Sequence, residues 1–162
     1  HKNVSDLVLR PRNLQDSAVP SGNALSAFAH WLMAQYDHDM QYQEQSENMI
    51  ERIYPKIRNY PFGFGYWLKT ADLMQHPPQQ VALVSKGNME TLQAFLRIYR
   101  KKYRPDSVIA AKFRGLEERN DLAGLLDKRN VINNLPTAYV CMRDTCQQPT
   151  NDLESFQQQL NN

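Results

Sequence analysis

Residues 80–113 hold a short apolar run, a long helical stripe and a second short apolar run, and little else fits between them. Val81, Ala82, Leu83 and Val84 make the first run. Met89, Leu92, Phe95, Leu96, Tyr99 and Tyr103 recur at helical spacing, and residues 108–113 make the second run. Apolar runs of this length bounded by turn residues read as buried strands. With joins this short, strand, helix and strand form a βαβ unit, so the two strands should be parallel with a right-handed crossover. The second half is thereby committed to a small α/β arrangement. Leu122, Leu125 and Leu126 fit a short helix, residues 138–142 a third strand, and Leu153, Phe156 and Leu160 a final helix.

The first half has the opposite character. After an extended piece at 6–11 and a loop at 12–20, Leu25, Phe28, Ala29, Leu32, Met33 and Tyr36 recur at i, i+3, i+4, i+7, i+8 and i+11. That is an amphipathic-helix pattern, and Ser21 is placed to cap it. A second helix at about 42–59 carries Met49, Ile50, Ile53, Tyr54 and Ile57 on one side, and Pro55 should kink or interrupt it. A third follows the Pro61-Phe62-Gly63 break, with Phe64, Trp67, Leu68, Ala71 and Met74 inward, and Pro77-Pro78 ends it. The reading is an α+β chain: a helical segment at 1–78 and a small α/β element (βαβ plus one strand) at 79–162.

Composition narrows the function class. A 162-residue chain that is 41% hydrophobic and 22% charged is globular. A chain of that size buries about 68–70% of its unfolded surface. No window approaches the roughly 18 apolar residues of a membrane span, and no segment reads as a secretory signal. The opening at His1 without a methionine suggests a processed product or a piece of a longer polypeptide. The net charge is +2, from 19 basic and 17 acidic residues. The one basic cluster, Arg97, Arg100, Lys101, Lys102 and Arg104, falls at a helix end, where the dipole favours cations. Nucleic-acid binding would need stacking aromatics interleaved with it, and the spacing of Tyr99 and Tyr103 suits a buried face better. Neither nucleic acid nor membrane is an expected partner.

Few residues carry chemistry. His30 lies away from the apolar stripe of its helix, and Asp37-His38-Asp39 reads as a polar turn. Glu117, Glu118 and Asp121 fit a solvated connection. Lys86-Gly87-Asn88 follows a strand and opens a helix, where a phosphate could bind, but one glycine is a weak signal. No cofactor is implied. Cys141 and Cys146 are the only cysteines. Their Cys-x-x-x-x-Cys spacing at a strand end is not the Cys-x-x-Cys of a helix-start redox pair. Two cysteines cannot close a zinc site, and His30, His38 and His76 lack ligand spacing to them, so no metal is expected. A disulfide needs the intervening turn to bring the two α-carbons within about 7 Å. Free structural thiols in a cytoplasmic protein are the default.

Two stretches add a resemblance. Residues 16–24, Asp-Ser-Ala-Val-Pro-Ser-Gly-Asn-Ala, precede the apolar helix, and the chain closes on Ala138-Tyr139-Val140-Cys141, four residues, Cys146 and Pro149. Together with the βαβ unit between them, they resemble the carboxy-terminal part of the thioredoxin-domain-containing family of the YyaL and spermatogenesis-associated thioredoxin-like type. The family pattern is roughly Asp-Gly-Ala-Glu-Pro-Ser-Gly-Asn-Ser, then helices, a Val-rich strand and the same closing cysteines. The resemblance covers nearly the whole chain in the same order.

It implies that this chain is the last part of a larger protein. Family members begin with a thioredoxin-like domain and continue into an α/α toroid resembling sugar epimerases and six-hairpin glycosidases. The first three helices would be the last hairpins of that toroid, and the remainder of the parent polypeptide would be the partner. A loop capping an inner toroid helix lies at the barrel mouth, which makes Ser21 and Asn23 the ligand-binding candidates. Their hydroxyl and amide suit a carbohydrate-like small molecule, and the alternative is a plain helix cap. The chain departs from the pattern at Val19, where a glutamate is usual, which removes a carboxylate from any sugar chemistry there. The aromatics Tyr60, Phe62, Phe64, Tyr66 and Trp67 read first as helix packing and second as a sugar platform. Three functions follow: a fragment without a complete active site of its own, a stand-alone binding module using the small sheet, or a carbohydrate-active enzyme.

Overall fold

The computed structural model describes residues 13–87, 89–113, 124–143 and 145–161. The extended piece read at 6–11, and Asn88, Glu117, Glu118, Asp121 and Leu122, lie outside the described residues.

Helix α1 (Gly22–Asp37) starts where the cap residue predicts: the Ala24 amide donates to Ser21 Oγ at 3.2 Å. It stops at His38, left-handed at φ 55°, whose N–H donates to the Ala34 carbonyl. Asp39 then caps α2 (Met40–Asn59) by accepting from the Gln41 amide at 2.8 Å. A two-residue join turns α2 back along α1. Pro55 does not interrupt α2 as expected. Glu51 and Pro55 both lie on its exposed side, so the carbonyl that loses its donor faces water. A 3-10 turn (Pro61–Gly63) leads into α3 (Gly65–Gln75), which ends before Pro77-Pro78 as read.

The buried contacts of α1 are not those its periodicity suggests. Ala24, Ala27, Trp31 and Ala34 are buried, and Ala24 and Ala27 pack against Ile53, Ile57, Phe64 and Trp67. The small alanines let α2 approach closely enough for buried Ser46 Oγ to donate to the Ala27 carbonyl at 2.7 Å. The expected inward stripe is split. Phe28, Leu32 and Tyr36 are half-buried, whereas Leu25 (44% exposed), Ala29 and Met33 (41% exposed) face outward. Tyr54 and Leu68, also read as inward, are exposed.

The second half forms a four-stranded sheet of order β2-β1-β3-β4, from β1 (Gln79–Ser85), β2 (Ser107–Phe113), β3 (Thr137–Met142) and β4 (Thr145–Cys146). β1 and β2 are parallel, as the βαβ reading requires, and β3 runs antiparallel to β1. Helix α4 (Met89–Arg100) joins the parallel pair, and α5 (Leu153–Gln159) closes the chain. α4 ends before Tyr103, which is 90% exposed; its expected place on a buried face is not taken up. The short helix read around Leu125 is a 3-10 turn (Gly124–Leu126).

Alternation sorts the sheet residues into two cores. Val81, Leu83, Ala138 and Val140 face Leu92 and Phe95 of α4 and Phe156 and Leu160 at α5. Phe95 and Phe156 meet edge to face at 5.1 Å, an arrangement their ring quadrupoles favour. On the other face, Ala82, Val84, Val108 and Tyr139 pack with Leu125 and Leu126, and α1 contributes Leu32 and Tyr36. β1 is buried on both faces, which is why it reads as an unbroken apolar run. The protein is thus α+β, with helices on both faces of a mixed sheet. Among the described residues no helix is long and apolar enough to cross a membrane.

Candidate functional site

The loop before α1 is held by a polar network, and both candidate residues belong to it. Ser21 is buried; its hydroxyl accepts from Ala24 N–H and donates to the Leu14 carbonyl at 3.3 Å. Asn23 Nδ2 donates to the Asn13 carbonyl at 2.8 Å. The Asp16 carboxylate is the hub: it accepts from the Ser21 amide and, through its other oxygen, from the Tyr66 amide, both at 2.8 Å. The second bond caps α3, whose own N-cap residue, Phe64, supplies no side-chain bond. Trp67 Nε1 donates to the Leu14 carbonyl at 2.8 Å, and the Asp16 amide to the Gly63 carbonyl. Ser21 is therefore a cap with its hydroxyl occupied, and Asn23 a tie whose amide N–H is engaged. Nothing in the residues themselves marked Asp16 beyond its polar loop position.

A cavity among the described residues lies at the other end of α1. It is an open cleft of about 510 Å³ where α1, α2, α3 and the start of β1 converge. Trp31 and Leu73 give it apolar wall, and Gln35, Gln80, Glu47 and Arg143 give it polar groups. Some of these already pair: Gln80 Nε2 donates to Gln35 Oε1 at 3.4 Å, and Gln43 Nε2 to Glu47 Oε1 at 2.8 Å. His38 and Arg143, both in left-handed backbone, also line it. An aromatic wall with amides, a carboxylate and a guanidinium can hold a polyhydroxylated small molecule. Sequence reasoning took His38 for a simple turn and missed this cavity, because its lining is drawn from positions 31 to 143.

No catalytic dyad emerges on α1. Ser26 Oγ lies 3.5 Å from His30 Nδ1, but that nitrogen donates to the Ser26 carbonyl at 2.7 Å and so is not the base the hydroxyl would need. His30, although away from the apolar stripe read from the sequence, is half-buried. Among the described residues no group of three or more His, Cys, Asp or Glu side chains could hold a metal ion. The basic cluster at the end of α4 braces α5: Arg104 Nη1 donates to the Leu160 carbonyl at 2.6 Å, and Lys102 Nζ to Asn161 Oδ1 at 2.8 Å. Lys86 lines a smaller cavity of about 360 Å³ with Lys112 and Arg129. Of the aromatic run, Phe64 and Trp67 are core, while Tyr60 and Phe62 (91% exposed) stand in solvent.

The cysteines correct the free-thiol expectation. Cys141 and Cys146 are a disulfide, with α-carbons 3.9 Å apart. The return strand β4, not foreseen as a strand, pairs antiparallel with β3 and places the two cysteines opposite each other in register. Arg143 makes the turn possible by adopting φ 54°, and Gln147 N–H donates to the Val140 carbonyl to continue the pairing. Cys141 is buried at 3% exposure and Cys146 is exposed. Arg129 lies over the pair, its Nη2 3.4 Å from each sulfur and its guanidinium 5.0 Å from the centre of the Tyr139 ring. Tyr139 in turn donates its hydroxyl to the Asn130 carbonyl at 2.7 Å, which fixes the segment carrying Arg129.

Compared with family models, with curated proteins and with solved structures, the chain matches none.

Proposed function

We propose that this chain is the carboxy-terminal part of a multidomain thioredoxin-domain-containing protein, in which α1–α3 complete a sugar-epimerase-like α/α toroid, with no complete active site of its own. The observation that supports this reading is the outward line of Leu25, Ala29 and Met33 on α1. A helix that buries alanines on one side and carries large apolar residues on another is suited to packing on both. Exposed Leu68 on α3, with Tyr60 and Phe62 before it, adds apolar surface to the same half of the chain. The occupant we assign to that surface is the preceding helical hairpin of the parent polypeptide.

Sedimentation velocity on the purified chain tests the reading. Concentration-dependent self-association, abolished in Leu25→Glu/Met33→Glu with the fold intact by circular dichroism, is expected. A monodisperse, stable monomer over the whole concentration range counts against it.

A carbohydrate-like ligand belongs to the same proposal, and the 510 Å³ cavity beside Trp31 is a better place for it than the occupied Ser21–Asn23 cap. The compartment we assign is the cytoplasm. Lasting disulfides are rare there, so the Cys141–Cys146 bond must then be one that opens and closes.

A further inference from the structure

We propose that Cys141–Cys146 is a thiol–disulfide exchange site, whose substrate is a dithiol and whose leaving thiolate is held by Arg129. This stands on the geometry around the two sulfurs and does not depend on the toroid. The two sulfurs are unequal: Cys146 is open to solvent and Cys141 is buried. An incoming thiolate therefore reaches Cys146 Sγ. As the new S–S bond to Cys146 forms, the Cys141–Cys146 bond breaks and its electron pair goes to Cys141 Sγ. The second sulfur of the dithiol then attacks the first, releasing Cys146 as a thiolate that takes up a proton from water. The protein disulfide is reduced to the Cys141 thiolate and the Cys146 thiol, and the dithiol is oxidised to a disulfide, its two protons having gone to solvent.

Arg129 gives this step its direction. A guanidinium gains little from a neutral disulfide, whose sulfurs are weak acceptors, and much from a thiolate at the same distance. Its Nη2 is already 3.4 Å from both sulfurs, so no reorganisation precedes the gain. Its stacking on Tyr139, with Tyr139 bonded to Asn130, keeps it in place. A purely structural cross-link has no use for a cation on its sulfurs, whereas an exchange site does. Reduction also removes the covalent tie of β4 to β3, leaving the Arg143 turn held by hydrogen bonds alone.

The test is the equilibrium of the full chain with reduced and oxidised dithiothreitol at about pH 10, where the reduced sulfur is a thiolate, under native conditions. Thiols are trapped with N-ethylmaleimide and counted by mass. The parent chain should reduce while folded. Arg129→Met should lower the equilibrium constant for reduction about tenfold, the effect of losing one charge-assisted hydrogen bond to the Cys141 thiolate. Arg129→Lys, which keeps the charge, should restore most of it. Far-ultraviolet circular dichroism of each variant separates this effect from unfolding. A parallel arm with a Cys-x-x-Cys protein dithiol at equal thiol concentration distinguishes a protein reductant from a small-molecule one by rate; reduction in either arm with the Arg129 dependence supports the site. A disulfide reduced in neither arm without denaturant overturns the proposal, as does an equal constant for the parent and folded Arg129→Met.

Discussion

Replacing Asp16 should destabilise the protein in a graded way, because one carboxylate serves two helices. Its oxygens accept from the Ser21 amide at the start of α1 and the Tyr66 amide in the first turn of α3, each at 2.8 Å. A hydrogen bond to a charged group contributes about 1.5–3 kcal/mol. Asp16 is only half-buried, so solvent screening brings each bond down to about 1–2 kcal/mol. Asp16→Ala should therefore cost about 2–4 kcal/mol, within which the lost α3 cap accounts for about 1 kcal/mol. Asp16→Asn keeps the shape and one acceptor oxygen but turns the other into a donor facing an N–H, so it should cost about 1–2 kcal/mol. For a chain of this length the alanine variant should melt roughly 4–16 °C lower. Urea unfolding followed by tryptophan fluorescence is the assay, since Trp67 is bonded to the same loop through Leu14. Parent, asparagine and alanine chains of equal stability within about 0.5 kcal/mol would refute the bridging role.

Two further outcomes follow from packing and capping. Gly124→Ala should cost about 1–3 kcal/mol, because an added Cβ would overlap the Asp37 carbonyl, with its carbon at 2.7 Å, and backbone does not move aside cheaply; a thermal melt unchanged from the parent would mean that the 3-10 turn and α1 are not packed together. The Ser155 amide, 2.7 Å from Asp152 Oδ2, holds the Asp152 carboxyl below its ordinary value, so its support of α5 is fully present above about pH 4 and is lost as pH falls through the lower folded value. A carbon-detected titration should place the Asp152 midpoint below that of an unfolded control, and Asp152→Asn should remove this contribution; a midpoint at or above the control contradicts the cap.

What could be read from the residues alone was what local rules govern. The parallel β1–β2 pair, the Ser21 start of α1 and the Pro77-Pro78 end of α3 follow from apolar runs, caps and prolines that act within a few positions. The orientation of α1 did not follow. Its periodicity is satisfied by two faces, and the close approach of α2 to Ala24 and Ala27 decides which is buried. The same holds for the cross-link: Cys-x-x-x-x-Cys spacing is compatible with free thiols, and pairing needs the left-handed Arg143 and a two-residue strand too short to show as a pattern. Arg129 and the cavity beside Trp31 join residues far apart in the chain, so no spacing rule could bring them together.

The most direct measurement is the size of the native protein in an extract of its source, detected with an antibody raised against this chain. The account predicts a band several times larger than 18.9 kDa, which would carry the proposed toroid. A single band at 18.9 kDa would contradict it and make the chain a module that works alone.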